Sequence, residues 1–186
     1  PGDMTIGVYA HEIGHVFGLP DLYDTDNSSR GVARWSIMAN GSWNGSLGSS
    51  PAQPDAWCRV QLGFVVPTVV TGTVTSATVP SVEDSAKIYR IWSSAPPGDE
   101  YFLVENRQKT GYDAYLPGAG LLIWHVDETK SGNTQEWYPG HTGSGNYLVA
   151  LEQADGLWEL DKNLDNGDAA DPFPGTTDKR TFSDAS

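Results

Sequence analysis

The segment His11-Glu12-Ile13-Gly14-His15-Val16-Phe17-Gly18-Leu19-Pro20-Asp21 decides how the rest of the chain is read. Ile6, Tyr9, Ala10, Ile13, Val16 and Phe17 recur at spacings of three and four, which predicts a helix over residues 3–18 with one apolar face. Asp3 is placed to cap its start, while Gly18 and Pro20 are placed to end it. On such a helix His11 and His15 lie one turn apart and point the same way. Two neutral imidazoles turned to one ion suit zinc, which binds nitrogen at about 2.0–2.1 Å. Glu12, rotated by about 100° from His11, falls beside such an ion, where it can take a proton from water. The apolar stripe is expected opposite the histidines, leaving them toward a cleft. Gly7 and Gly14, seven apart, share one side and imply close approach of another backbone.

A catalytic zinc site takes three protein ligands and keeps one position open. The pattern H-E-x-x-H-x-x-G-x-x-D supplies Asp21 as the third, with Gly18 letting the chain turn back sharply. Asp24 and Asp26 in the same loop compete for that role, as do Glu105, His125 and His141 further along.

Beyond the motif, residues 24–34 and 40–54 read as polar or glycine-rich loops, and residues 54–62 as a short helix stopped by Gly63. From Val65 onward the texture becomes β-rich. Residues 68–79, 87–92, 101–107, 120–126 and 147–153 read as strands. The expected class is α+β, with a zinc-peptidase catalytic region over residues 1–66, lacking its N-terminal part. Residues 67–186 form a β-rich region, sandwich-like and cut short at its C-terminus.

The 186-residue chain carries a formal net charge of −13, and its 11 Lys and Arg residues form no patch. Phosphate binding needs concentrated positive charge, so no nucleic-acid partner is expected. No apolar run approaches the roughly 20 residues needed to span a bilayer. Cys58 stands alone, which excludes a disulfide within the chain and leaves a small buried hydrophobe as its role. An acidic turn, Asp161, Asn163, Asp165 and Asp168, alternates oxygen side chains as calcium loops do. Its glycine falls one place late and Pro172 stands where a closing Glu belongs, so a solvated turn is an equal reading.

These stretches carry a resemblance. HEIGHVFGLPDLYD (11–24), SIMANGSW (36–43), PDAWCRVQLGFV (54–65), FLVENRQKTGYDAYLPGAGLLIWHVDE (102–128) and DNGDAADPFPG (165–175) resemble the immune-inhibitor-A-like secreted bacterial metallopeptidases, a metzincin-type group. The resemblance implies a metzincin-like C-terminal part: active-site helix, methionine turn at Met38 and following helix. It also implies Zn²⁺ at His11, His15 and Asp21, Glu12 as general base, peptide or protein substrates, and secretion as a precursor. Met38 would support the site without binding metal. Where some metzincins place a tyrosine two residues after that methionine, this chain has Asn40. Tyr9, Tyr23 and Asn40 are therefore the candidates for stabilising an oxyanion. Two rival expectations stand beside the endopeptidase: an inactive, calcium-stabilised binding or adhesion module, and a zinc hydrolase acting on a non-peptide bond.

Overall fold

The computed structural model describes residues 5–92, 98–141, 145 and 147–183. Helix α1 spans Ile6–Val16 and α2 spans Ala56–Gln61. Five strands, β1 (Thr68–Val70), β2 (Tyr89–Trp92), β3 (Glu100–Arg107), β4 (Gly120–Asp127) and β5 (Val149–Leu151), form one sheet in sequence order. The β1–β2 pair is parallel and the others antiparallel. Among the described residues the strands thus make a single sheet rather than the two facing sheets of a sandwich. Residues 71–79, expected to extend β1, lie outside any named strand.

The sheet's central pair explains where the core sits. Successive strand side chains point to opposite faces. Tyr101 and Leu103 on β3, with Leu122, Trp124 and Val126 on β4, enter the main buried cluster. Phe102 and Ile123 face the other way, into a smaller cluster with Phe173 and Ala154. The main cluster also takes in Leu22, Trp35, Met38 and Trp57, so one core joins the first third of the chain to the sheet.

Two more residues on the core-facing side of β3 are charged. Glu105 and Arg107 are wholly buried. Arg107 forks onto Asp113 through Nε (2.8 Å) and Nη2 (2.7 Å), and Nη1 reaches Glu105 Oε1 at 3.2 Å. Burial pushes Asp113 up, but the charge and hydrogen bonds of Arg107 outweigh it and hold the carboxyl below its usual range. Burial leaves Glu105 above its usual range despite Arg107. The same guanidinium donates to the backbone carbonyls of Trp35 and Gln53, each at 3.4 Å, tying the sheet to the loops that carry the site.

Helix α1 makes the close backbone approach expected of Gly7, but its apolar stripe does not face the core. Ile6, Tyr9, Ile13, Val16 and Phe17 are 51–82% exposed, and the helix buries Gly7 and Gly14 instead. A Cβ on Gly7 would stand 1.9 Å from the carbonyl oxygen of Ser42, and one on Gly14 would stand 2.4 Å from Met38 Sδ. Helix and loop meet at glycine distance, so the apolar stripe is displaced outward. Asp3 lies outside the described residues; the position before the helix is Thr5. Helix α2 starts as expected for a capped helix, with Asp55 accepting from the Cys58 amide at 3.0 Å. Cys58 is buried, and burial, then the Asp55 charge, pushes its thiol well above the usual range. Among the described residues no helix is long and apolar enough to cross a membrane.

A candidate metal centre on the glycine-faced helix

The end of α1 builds the first half of the site. Gly18 adopts φ +90°, a region costly for residues with a side chain, and no atom lies within 4 Å of where its Cβ would be. Its role is therefore conformational. Leu19 N donates to Gly14 O (3.1 Å) and Gly18 N to His15 O (2.9 Å), the two bonds of a Schellman stop. The turn brings the Leu19 carbonyl back to His15 Nδ1 at 2.8 Å. His11 Nδ1 lies 2.9 Å from the Ile37 carbonyl. A carbonyl only accepts, so each Nδ1 carries the proton and each Nε2 presents its lone pair.

Those lone pairs converge. His11 Nε2 and His15 Nε2 are 3.1 Å apart, and Asp21 Oδ1 is 3.2 Å from each. Asp21 Oδ1 is buried and has no hydrogen-bond donor. Two imidazole lone pairs and a carboxylate oxygen facing one point repel each other unless a cation lies between them. Zinc bonds of about 2.0–2.1 Å at tetrahedral angles separate ligand atoms by about 3.3 Å, close to the triangle observed. Two nitrogens and one oxygen are also a donor set that zinc accepts. The residues present therefore fit the metal.

Glu12 is exposed and, with His11, Tyr23, Asn27, Asn40 and Trp43, lines a cleft of about 370 Å³ beside this triangle. Tyr23 lies nearly parallel to the His11 ring, with centroids 6.3 Å apart. Burial, then the charge of Asp21 and a hydrogen bond to its carboxylate, then the charge of Glu12, raises its hydroxyl above the usual phenol value. Tyr9 lies on the exposed stripe of α1 and does not line the cleft. Asn40 lines it, but its amide group donates to Asn166 Oδ1 at 3.0 Å. Met38 is wholly buried beneath α1, against Gly14.

The competing third ligands have other engagements. Asp24 accepts from the amides of Asp26 (3.0 Å) and Ser29 (2.8 Å) and from the Ser28 hydroxyl (2.8 Å), folding its own loop. Burial alone would raise Asp24, yet these bonds bring it below its usual range. Asp26 accepts from Ser28 N at 2.9 Å. Glu105 is locked to Arg107 in the core. His125 pairs with Glu100 at 2.8 Å and His141 with Glu136 at 3.3 Å.

The acidic turn assembles differently from its sequence pattern. Asp161 is buried and takes a bond from Gln153 Nε2 at 2.8 Å, while the Asn163 amide donates to Asn27 O at 2.9 Å. Asp165 and Asp168 gather with Glu159 instead, and Asp168 also with Asp155 and Asp171. The four residues picked by alternation are thus split, because Asn163 takes a left-handed conformation (φ +58°) and breaks the periodicity. Burial, more than the neighbouring carboxylates, pushes both Asp161 and Asp171 up to about 7. Sequence reading missed Asp155, Glu159 and Asp171, which sit outside any regular spacing.

Comparison with known proteins bears on the first third of the chain. Residues 1–64 match the family model described as immune inhibitor A peptidase M6, catalytic domain. The pre-pro-metalloprotease PrtV of Vibrio cholerae serotype O1 is 47% identical over 62 residues, 32% of this chain and 7% of that protein. Immune inhibitor A of Bacillus thuringiensis subsp. alesti is 48% identical over 54 residues, 27% of this chain and 8% of that protein. The chain thus matches less than a tenth of the length of either relative, and residues 102–128 and 165–175 lie beyond the matched family model.

Proposed function

We propose that the protein is a zinc-dependent endopeptidase in which His11, His15 and Asp21 hold the metal, a reading supported by the match of residues 1–64 to the immune inhibitor A peptidase M6 catalytic-domain model. The observation that carries this reading is the triangle of unspent donor atoms, 3.1–3.2 Å on a side, with both imidazoles oriented by backbone carbonyls. Such second bonds orient ligands and raise their basicity. Zinc supplies, when bound, a Lewis acid that polarises a scissile carbonyl and acidifies water.

The chain's own residues do the rest. Glu12 stands free in the cleft one position after His11; it takes the proton from the attacking water and passes it to the leaving amine. Tyr23, which lines the cleft beside the triangle, turns its hydroxyl from Asp21 to the developing oxyanion, whereas Tyr9 lies outside the cleft. Met38 supports the helix from below through Gly14. Residues 1–66 form the catalytic region of this reading, and the β-rich remainder braces it through Arg107. Extracellular release as a precursor fits the family resemblance and the pre-pro form named for the Vibrio relative.

The test is hydrolysis of casein by the full-length protein, abolished by a chelator and restored by zinc. Cleavage that persists in the metal-free protein contradicts the reading. Hydrolysis of ester or amide panels without any peptide cleavage would move it to a different zinc hydrolase.

A further inference from the structure

Two carbonyls in succession on one turn hold both ligand-bearing segments. Ile37 O accepts from His11 Nδ1 at 2.9 Å, and Met38 O accepts from the backbone N–H of Leu22, the residue after Asp21, at 2.8 Å. A rotation of this turn would therefore swing an imidazole and a carboxylate together. Its conformation is set by Ser36. The Ser36 hydroxyl accepts from Met38 N at 3.2 Å and donates to Asp55 Oδ2, and the Ser36 carbonyl accepts from Ala39 N at 3.1 Å. Ser36 and Asp55 are both wholly buried. Asp55 is itself fixed, because its other oxygen caps α2 by accepting from Cys58 N at 3.0 Å. The preceding carbonyl, Trp35 O, is held by Arg107 from the sheet.

We infer that Asp55 and Ser36 are positioning residues of the metal centre: a buried carboxylate–hydroxyl pair that anchors the turn to α2 and so sets the angle at which His11 and Asp21 present their donor atoms. The inference rests on the reading that His11, His15 and Asp21 bind zinc. A carboxylate wholly out of water is costly, and capping a six-residue helix needs only one of its oxygens. A neutral asparagine caps about as well as aspartate. The second oxygen serves the turn. Removing a partner that orients a ligand typically costs about 10- to 100-fold in metal affinity.

The experiment measures zinc affinity of the full-length protein by competition with a chromophoric chelator, the visible absorption of the cobalt-loaded protein, and the melting temperature. Asp55→Asn keeps the cap but turns an N–H toward Ser36, whose hydroxyl proton loses its acceptor. It is expected to weaken zinc by about 10-fold or more and to alter the cobalt spectrum, at little cost in melting temperature. Ser36→Ala is expected to weaken zinc similarly and Ser36→Thr to return most of the affinity. If Ser36→Ala does not fold, Asp55→Asn carries the test. Leu103→Ala, in the sheet core, is the control for mere destabilisation and is expected to lower the melting temperature with zinc affinity unchanged. Wild-type zinc affinity and cobalt spectrum in Asp55→Asn and Ser36→Ala would overturn the inference. Loss of zinc in His11→Ala and Asp21→Ala alongside that result would leave the ligand reading standing, whereas zinc retained in those two as well would remove both.

Discussion

Among the described residues, ligand-type side chains gather in two places, and the two clusters differ in what their lone pairs are already doing. In the triangle of His11, His15 and Asp21, each imidazole spends Nδ1 on a carbonyl and keeps Nε2 free, and Asp21 Oδ1 has no donor. In the acidic loop most carboxylates are spoken for. Asp165 accepts from Gly167 N, Asp168 from Ala170 N, and Asp171 from Asp168 N and Trp35 Nε1. Asp155 Oδ2 is a buried oxygen there without a partner. The comparison teaches that charge density does not make a metal centre. Fixed orientation with unspent donor atoms is what marks the less acidic cluster as the candidate.

The largest effect that would sharpen this contrast is kinetic. Glu12→Ala is expected to lower turnover by about 10²- to 10⁴-fold, the usual worth of a positioned acid–base group, while zinc content stays at the wild-type level. Ordinary casein turnover by that variant would remove Glu12 from the mechanism. Next comes Arg107, which shows what a cation does for buried carboxylates. Arg107→Ala would leave Glu105 and Asp113 unpaired in the core and is expected to cost about 3–5 kcal/mol in urea unfolding. A loss under 1 kcal/mol would show that water relaxes the site (about a quarter of the usual penalty).

Gly14→Ala probes the packing under the triangle. The added methyl would meet Met38 Sδ at 2.4 Å, and overpacking of that kind costs about 1–3 kcal/mol. Unchanged stability would mean that Met38 can move aside freely. The acidic loop is tested by pH rather than by a packing change. Asp161 and Asp171 are held at about 7 when folded, against an ordinary value near 3.9 in the unfolded chain. Below the ordinary value both states are protonated. Above it the unfolded chain releases protons that the folded one retains, so their contribution to stability falls as pH rises toward 7. Denaturation midpoints followed from pH 4 to 7 should show this decline, and Asp161→Asn should reduce it to the share carried by Asp171. An undiminished slope in that variant would place the titration elsewhere.

Much of the centre was legible because its chemistry is local. His11, Glu12, His15, Gly18 and Asp21 lie within one helix and its stop, so helix geometry and the positive φ of Gly18 suffice to bring them together. Helix α2 and the four strands β2 to β5 were legible for the same reason, since period and composition are local signals. What failed was anything set by distant packing. The apolar stripe of α1 is exposed because glycine contact with Ser42 and Met38 decides which face is buried. The alignment of Asp155 with Asp171, the bond from Arg107 to the Trp35 carbonyl, and the anchoring of Ser36 by Asp55 all join residues far apart in sequence. No spacing rule reaches them.

The most direct test is zinc content after exhaustive dialysis, measured on the wild-type protein, Asp21→Ala and Asp168→Ala together. The account predicts that the wild type and Asp168→Ala retain zinc equally while Asp21→Ala loses it. Zinc retained by Asp21→Ala, or lost from Asp168→Ala, would contradict the assignment of the metal to the histidine–aspartate triangle.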